Sequence, residues 1–172
     1  TVMKRSLRII FDLIKVLLRS FSRIISVVTE LDRTHYVLGV LALAENLGVR
    51  VTATRLQKVT FLVVKEFGLD LGYKFVPYYF GPFSKDLQDD VYRLRNRGLV
   101  KVEEEPVEDP FTGAVIGVKK TYSLSESAPR VELEGKLRAF LTEKLTVPLD
   151  DLLNYVYRNY PEYTAKSLIK DK

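Results

Sequence analysis

The stretch PFSKDLQDDVYRLRNRGLV, residues 82–100, begins with the periodicity of a helix and ends with that of a strand. Leu87, Val91 and Leu94 are spaced by four and three, one stripe of a 3.6-residue repeat. Pro82 suits the first helical position, where a missing N–H costs nothing, and Ser84 suits an N-cap. Gly98 closes the helix, and LVKV follows at once with period two. From there to Ser125 the chain reads as a hairpin. Val100 and Val102 alternate with charged residues, DPFTG (109–113) is a turn, and KKTYSL (119–124) alternates again. Pro106 is expected near a frayed strand end.

Two more helices precede this unit. THYVLGVLALAENLG (34–48) and TRLQKVTFLVVKEFG (54–68) each end in glycine, and the second aligns Leu56, Val59, Val63 and Phe67. Three helices, the third running straight into a hairpin, predict a winged-helix core, a variant of the helix-turn-helix. Beyond Pro129 helix returns, with Leu133, Leu137, Phe140 and Leu141 on one face and Leu149, Leu152, Leu153, Val156, Tyr157 and Tyr160 on the next. Pro161 ends it, and EYTAKSLIK (162–170) predicts a last short helix. The expected fold is therefore α+β and mainly helical. It has an N-terminal helix (1–31), a winged-helix-like core (32–126) and a C-terminal helical extension (127–172).

The first of these segments carries the charge asymmetry. The chain of 172 residues has a net charge of +5. Six basic residues, Lys4, Arg5, Arg8, Lys15, Arg19 and Arg23, face only Asp12 and Glu30 in the first thirty positions, so nearly all the excess lies there. On a helical wheel the basic side chains cluster in one arc and apolar ones span roughly 220°, wider than a surface helix needs. Charges recur too often for a membrane span, and they interrupt the apolar run of a signal peptide. The reading adopted is burial on two sides, one of them a second copy, through Leu7, Ile10, Ile14, Leu17, Phe21 and Ile25. A membrane-surface helix and a basic arm on nucleic acid are the alternatives.

Catalytic chemistry finds little footing. There is no cysteine and one histidine, His35, expected at a helix start, which excludes a His dyad and the usual zinc sites. No glycine-rich phosphate loop and no nucleophile elbow occurs. No catalytic residue, metal, cofactor or small-molecule substrate is expected. The lack of cysteine suits the cytoplasm, and with the single Met and many Lys, Arg and Glu residues it suits a thermophile.

The third helix is the natural reader of DNA in this architecture, but its first turns carry Asp86, Asp89 and Asp90 beside Lys85. These carboxylates offset the helix dipole and repel phosphate. The wing is acidic too, through Glu103, Glu104, Glu105, Glu108 and Asp109. A nucleic-acid face would have to use Lys85, Arg93, Arg95 and Arg97. Just upstream, YKFVPYYFGPF (73–83) supplies six rings. In an extended segment Tyr73, Phe75 and Tyr79 share one side, and Tyr78 and Phe80 the other. One set is expected in the core. A partner surface is read from Tyr78, Tyr79, Phe80, Phe83, Asp86, Asp89 and Asp90.

Three segments, RLQKVTFLV (55–63), YYFGPFSKDLQDDVYRLRNRGLV (78–100) and LLNYVYRNYPEYTAKSLI (152–169), together resemble the YwgA-like proteins and the related Panacea domain. The resemblance spans about residues 34–170 and leaves the N-terminal helix outside. It implies a small non-catalytic domain of the kind associated with toxin–antitoxin systems, acting by protein binding. The function expected is a regulatory protein-binding module that forms homodimers. A DNA-binding transcriptional regulator is the alternative.

Overall fold

The computed structural model describes residues 2–165, with the side chains of 26–32 outside the description. The chain is mainly helical, with two small antiparallel sheets, an α+β arrangement as expected. Helix α1 runs from Val2 to Leu47, 46 residues in one piece and about 69 Å long at 1.5 Å per residue. The two helices read from the sequence, meeting near Asp32, are thus one, and His35 lies inside α1 on an exposed face. The physical reason is simple. No glycine or proline occurs before Gly39, and Asp32 caps a helix only where the preceding backbone has left helical geometry.

The two ends of α1 live in different environments. Every residue from Val2 to Ile25 is exposed, whereas Tyr36 to Ala44 are buried without interruption. A helix buried on all sides is a central element of a core. At Gly39 the packing is closest: a methyl group there would come within 2.5 Å of the Leu133 side chain.

Strand β1 (Val51–Thr52) is followed by α2 (Ala53–Leu62), whose N-cap hydroxyl on Thr52 accepts from the Arg55 amide at 3.1 Å. The helix widens into a π turn over Val63–Phe67 and ends at Gly68. A short hairpin, β2 (Val76–Tyr78) and β3 (Gly81–Phe83), then leads into α3 (Lys85–Asn96). The long hairpin β4 (Val100–Glu108) and β5 (Val115–Leu124) follows, and β1 pairs with β5, so the sheet order is β1-β5-β4. Pairing continues through Pro106, which lies opposite Val118, to an irregularity at Val107/Glu108. The proline is tolerated because β4 is an edge strand, not because the strand frays there. Asp109 Oδ1 accepts from the Phe111 and Thr112 amides at 2.8 and 2.9 Å and shapes the turn.

Helices α4 (Gly135–Thr146) and α5 (Leu149–Asn159) and a 3₁₀ turn (Pro161–Thr164) complete the chain. The expected helix over 162–170 lies mostly outside the described residues. Leu141, Leu145, Leu152 and Val156 join the same core as Leu56, Val59, Phe61 of α2 and Leu87, Val91, Leu94 of α3. The Arg55 guanidinium ties the layers together by donating to the carbonyls of Leu145 and Val147, at 3.0 and 2.6 Å, where α4 ends. Among the described residues no helix is long and apolar enough to cross a membrane.

Candidate functional site

Helix α3 is set in place by α2. Ser84, fully buried, is its N-cap; its hydroxyl accepts from the Leu87 amide. The Gln57 side chain clamps Ser84 from both directions, donating to its carbonyl at 2.9 Å and accepting from its amide at 2.8 Å. Next to it, the Lys58 ammonium donates to the Pro82 carbonyl at 2.9 Å. Pro82 is therefore part of β3, and of the two helix starts read from the sequence, Ser84 is the one used.

The three carboxylates of α3 separate. Asp90 is only 2% exposed, turned into the body beside Leu87, Val91 and Leu94. Arg33 meets it at 2.9 and 3.2 Å, Arg93 at 2.9 Å, and the Tyr73 hydroxyl donates to it at 2.8 Å. The Arg33 guanidinium also lies over the Tyr73 ring, and burial followed by the Asp90 charge pushes the Tyr73 hydroxyl well above its usual range. Asp90 consequently does not belong to an exposed partner surface; it is the buried post on which α1, α3 and the segment before β2 are joined. Asp86 stays exposed, and Asp89 pairs with Lys85 at 2.6 Å one turn away.

The basic residues of α3 are also partly committed. Lys85 is paired to Asp89, Arg93 reaches Asp90, and Arg95 lies over the Tyr92 ring at 4.9 Å. Arg97 is the exposed C-cap residue. Along the β4–β5 hairpin, Arg50, just before β1, reaches Glu105 at 3.1 Å and Glu103 at 3.9 Å, while Lys120 reaches Glu104 at 3.7 Å and the Tyr92 hydroxyl at 2.5 Å.

The six rings of residues 73–83 divide between inside and outside, but not by simple alternation. Tyr73 is buried and Phe75 packs edge-on against Phe61 at 5.3 Å. Tyr79, expected with them, sits in the β2–β3 turn, which cancels the alternation. Gly81, at φ 87, completes the reversal, and a methyl group on it would come within 2.8 Å of the Tyr157 ring. Tyr78, Tyr79 and Phe80 are all exposed, and Phe83 stacks on Tyr78 at 4.8 Å. The outer rings thus form a continuous apolar patch beside the N-terminus of α3.

Two further surfaces are apolar and exposed. Along α1, Leu7, Ile10, Ile14, Leu17, Phe21 and Ile25 are 45–67% exposed. On the outer half of the β4–β5 hairpin, Phe111, Val115, Ile116 and Val118 are exposed, Phe111 almost completely. The hairpin patch went unread in the sequence although AVIGV (114–118) breaks the polar–apolar alternation. Lys58 also went unread. Its burial drops the ammonium to about 7 from the ordinary lysine range. Among the described residues no group of three or more His, Cys, Asp or Glu side chains is placed to hold a metal ion. Comparison with protein-family models, curated proteins and solved structures finds no match to this chain.

Proposed function

We propose that the chain is a non-enzymatic winged-helix module that works in the cytoplasm by binding protein, in the manner of an antitoxin, and that self-associates through α1. The winged-helix reading is supported by the order α1, β1, α2, then, after the β2–β3 hairpin, α3, β4 and β5, and by the sheet order β1-β5-β4, with α1, α2 and α3 packed on that sheet. The cytoplasmic reading rests on the absence of cysteine.

One observation carries the binding function: the apolar side chains of α1 from Val2 to Ile24 are exposed. Burying a Leu, Ile or Phe side chain contributes about 1.5–3 kcal/mol, and a single copy leaves eleven such side chains of α1 exposed. A second copy laid along the same face recovers it, with Lys4, Arg8, Lys15 and Arg19 left in water. The rings at 78–80 and the wing tip then remain for a different polypeptide, and the acidic strand β4 favours a basic one. Sedimentation velocity of the full chain over a range of concentrations tests this. The wild type should run as a dimer and Ile14→Glu/Leu17→Glu as a monomer; a monomeric wild type at all concentrations refutes self-association.

A DNA-binding regulator is the second reading, and one observation favours it. With Asp90 withdrawn and Asp89 paired, α3 presents less negative charge than its sequence does. Fluorescence anisotropy with a mixed-sequence duplex at low salt decides. Salt-sensitive binding lost in Arg95→Glu/Arg97→Glu establishes this reading, and no binding removes it.

A further inference from the structure

Between the start of α2, the β2–β3 hairpin, α3 and the middle of the β4–β5 hairpin lies a cleft of about 290 Å³, close to the lower end of ligand-binding cavities. Its charge is one-sided. Lys58, Lys119 and Lys120 line it, and no carboxylate does. That is unexpected in a wing whose facing strand carries Glu103, Glu104 and Glu105. Two of the three lysines have acidic neighbours elsewhere. Lys120 reaches Glu104 and Tyr92, and Lys119 lies opposite Glu105 in the sheet register.

Lys58 differs. It is 2% exposed, yet it lines the cleft, and among the described residues its ammonium meets one acceptor, the Pro82 carbonyl, and no carboxylate. An ammonium has three donors, and a buried charge without a counter-ion is costly. Burial lowers its pKa to about 7. The remaining wall is flat and apolar on one side, from the rings of Tyr78, Phe80 and Phe83, and carries the amide of Gln88 on α3.

We propose that this cleft binds a small organic anion, a carboxylate or phosphate that meets Lys58, carried on a flat ring that packs against Tyr78 and Phe80. The chemistry is that of recognition only: a charge-assisted hydrogen bond from a buried donor, Lys119 at the mouth for attraction, and offset ring packing for selectivity. The inference is independent of self-association through α1. Because α2 fixes residues 82–84 through this same lysine and Gln57, a ligand on Lys58 is in direct contact with the anchor of α3.

Isothermal titration calorimetry of the full chain tests it with four probes: indole-3-carboxylate, its neutral carboxamide, adenosine monophosphate and inorganic phosphate. At least one of the two ring-bearing anions should bind, about tenfold or more tighter than the carboxamide and inorganic phosphate. Which one binds separates the carboxylate from the phosphate source. Binding should weaken from about pH 6 to about pH 9 as Lys58 loses its proton; the other ionisable groups around it are Lys119 and Lys120 of β5, Tyr78 of β2 and Tyr157 of α5. Lys58→Met should abolish binding. Phe80→Ala and Lys119→Ala, both at exposed positions, should each weaken it and keep the test valid if Lys58→Met does not fold. No heat from either ring-bearing anion, equal binding of the carboxamide, or unchanged binding in Phe80→Ala and Lys119→Ala overturns the proposal.

Discussion

Asp90 gathers two arginines and a tyrosine from three separate parts of the chain. Removing one partner of such a buried set leaves the others uncompensated, so Asp90→Ala should destabilise the fold by about 3–5 kcal/mol in urea denaturation. Asp86→Ala, at an exposed site, should change stability by less than about 0.5 kcal/mol. Lys58 gives a second residue-level prediction. Its folded pKa of about 7 lies below the ordinary 10.5, so between these values the unfolded chain holds more protons. Stability should therefore rise with pH across this window, by up to about 1.4 kcal/mol per pH unit from this one group. Burial raises the Tyr36, Tyr73 and Tyr122 hydroxyls, so their contribution is lost as pH climbs above about 10. Thermal melts from pH 7 to about 10 check the rise, which Lys58→Met should remove. Part of this was legible. Asp90 stands three residues after Leu87 and four before Leu94, on the apolar stripe. That it is tolerated there depends on Arg33, 57 positions away, which no local pattern reveals.

Among the elements, the long periodic ones were readable and the short paired ones were not. The apolar stripes of α2 and α3, the long hairpin and its DPFTG turn all stand in the sequence as they stand in the fold. Strand β1 has two residues and β2 and β3 have three each, too few to show a period; they exist because a distant edge or a tight turn offers hydrogen bonds. The continuity of α1 was obscured by a change of composition near Asp32, although the helix runs on through it to Leu47 and its described residues are buried from Tyr36 to Ala44. The β2–β3 turn makes the sharpest test at this scale. Gly81→Ala imposes a left-handed backbone on alanine and drives a methyl group toward Tyr157. It should lower stability by about 2–4 kcal/mol in denaturant titration, more than an exposed Gly→Ala elsewhere.

At the scale of the whole molecule, one core carries two projecting arms, the first half of α1 and the outer half of the wing. Beyond Glu103 the wing has hardly any buried residue, so Ile116→Lys should shift the melting free energy by no more than about 0.5 kcal/mol. If that change unfolds the protein, the wing is packed and the reading of its surface as free is wrong. The mainly helical α+β outline was legible at this scale because it follows from the order of elements. The extent of exposed apolar surface was not, because sequence alone cannot say whether a hydrophobic face is covered by its own chain.

The notch at Gly39, filled by Leu133, has a bearing on biosynthesis. The nine-residue apolar stretch around Gly39 leaves the ribosome well before its lid, which is encoded almost a hundred codons later. Closure of the centre must wait until Leu133 has emerged, with the apolar C-terminal part of α1 unshielded meanwhile. Nascent chains stalled before Leu133 should accordingly be chaperone clients, whereas those extended past the final helices should not.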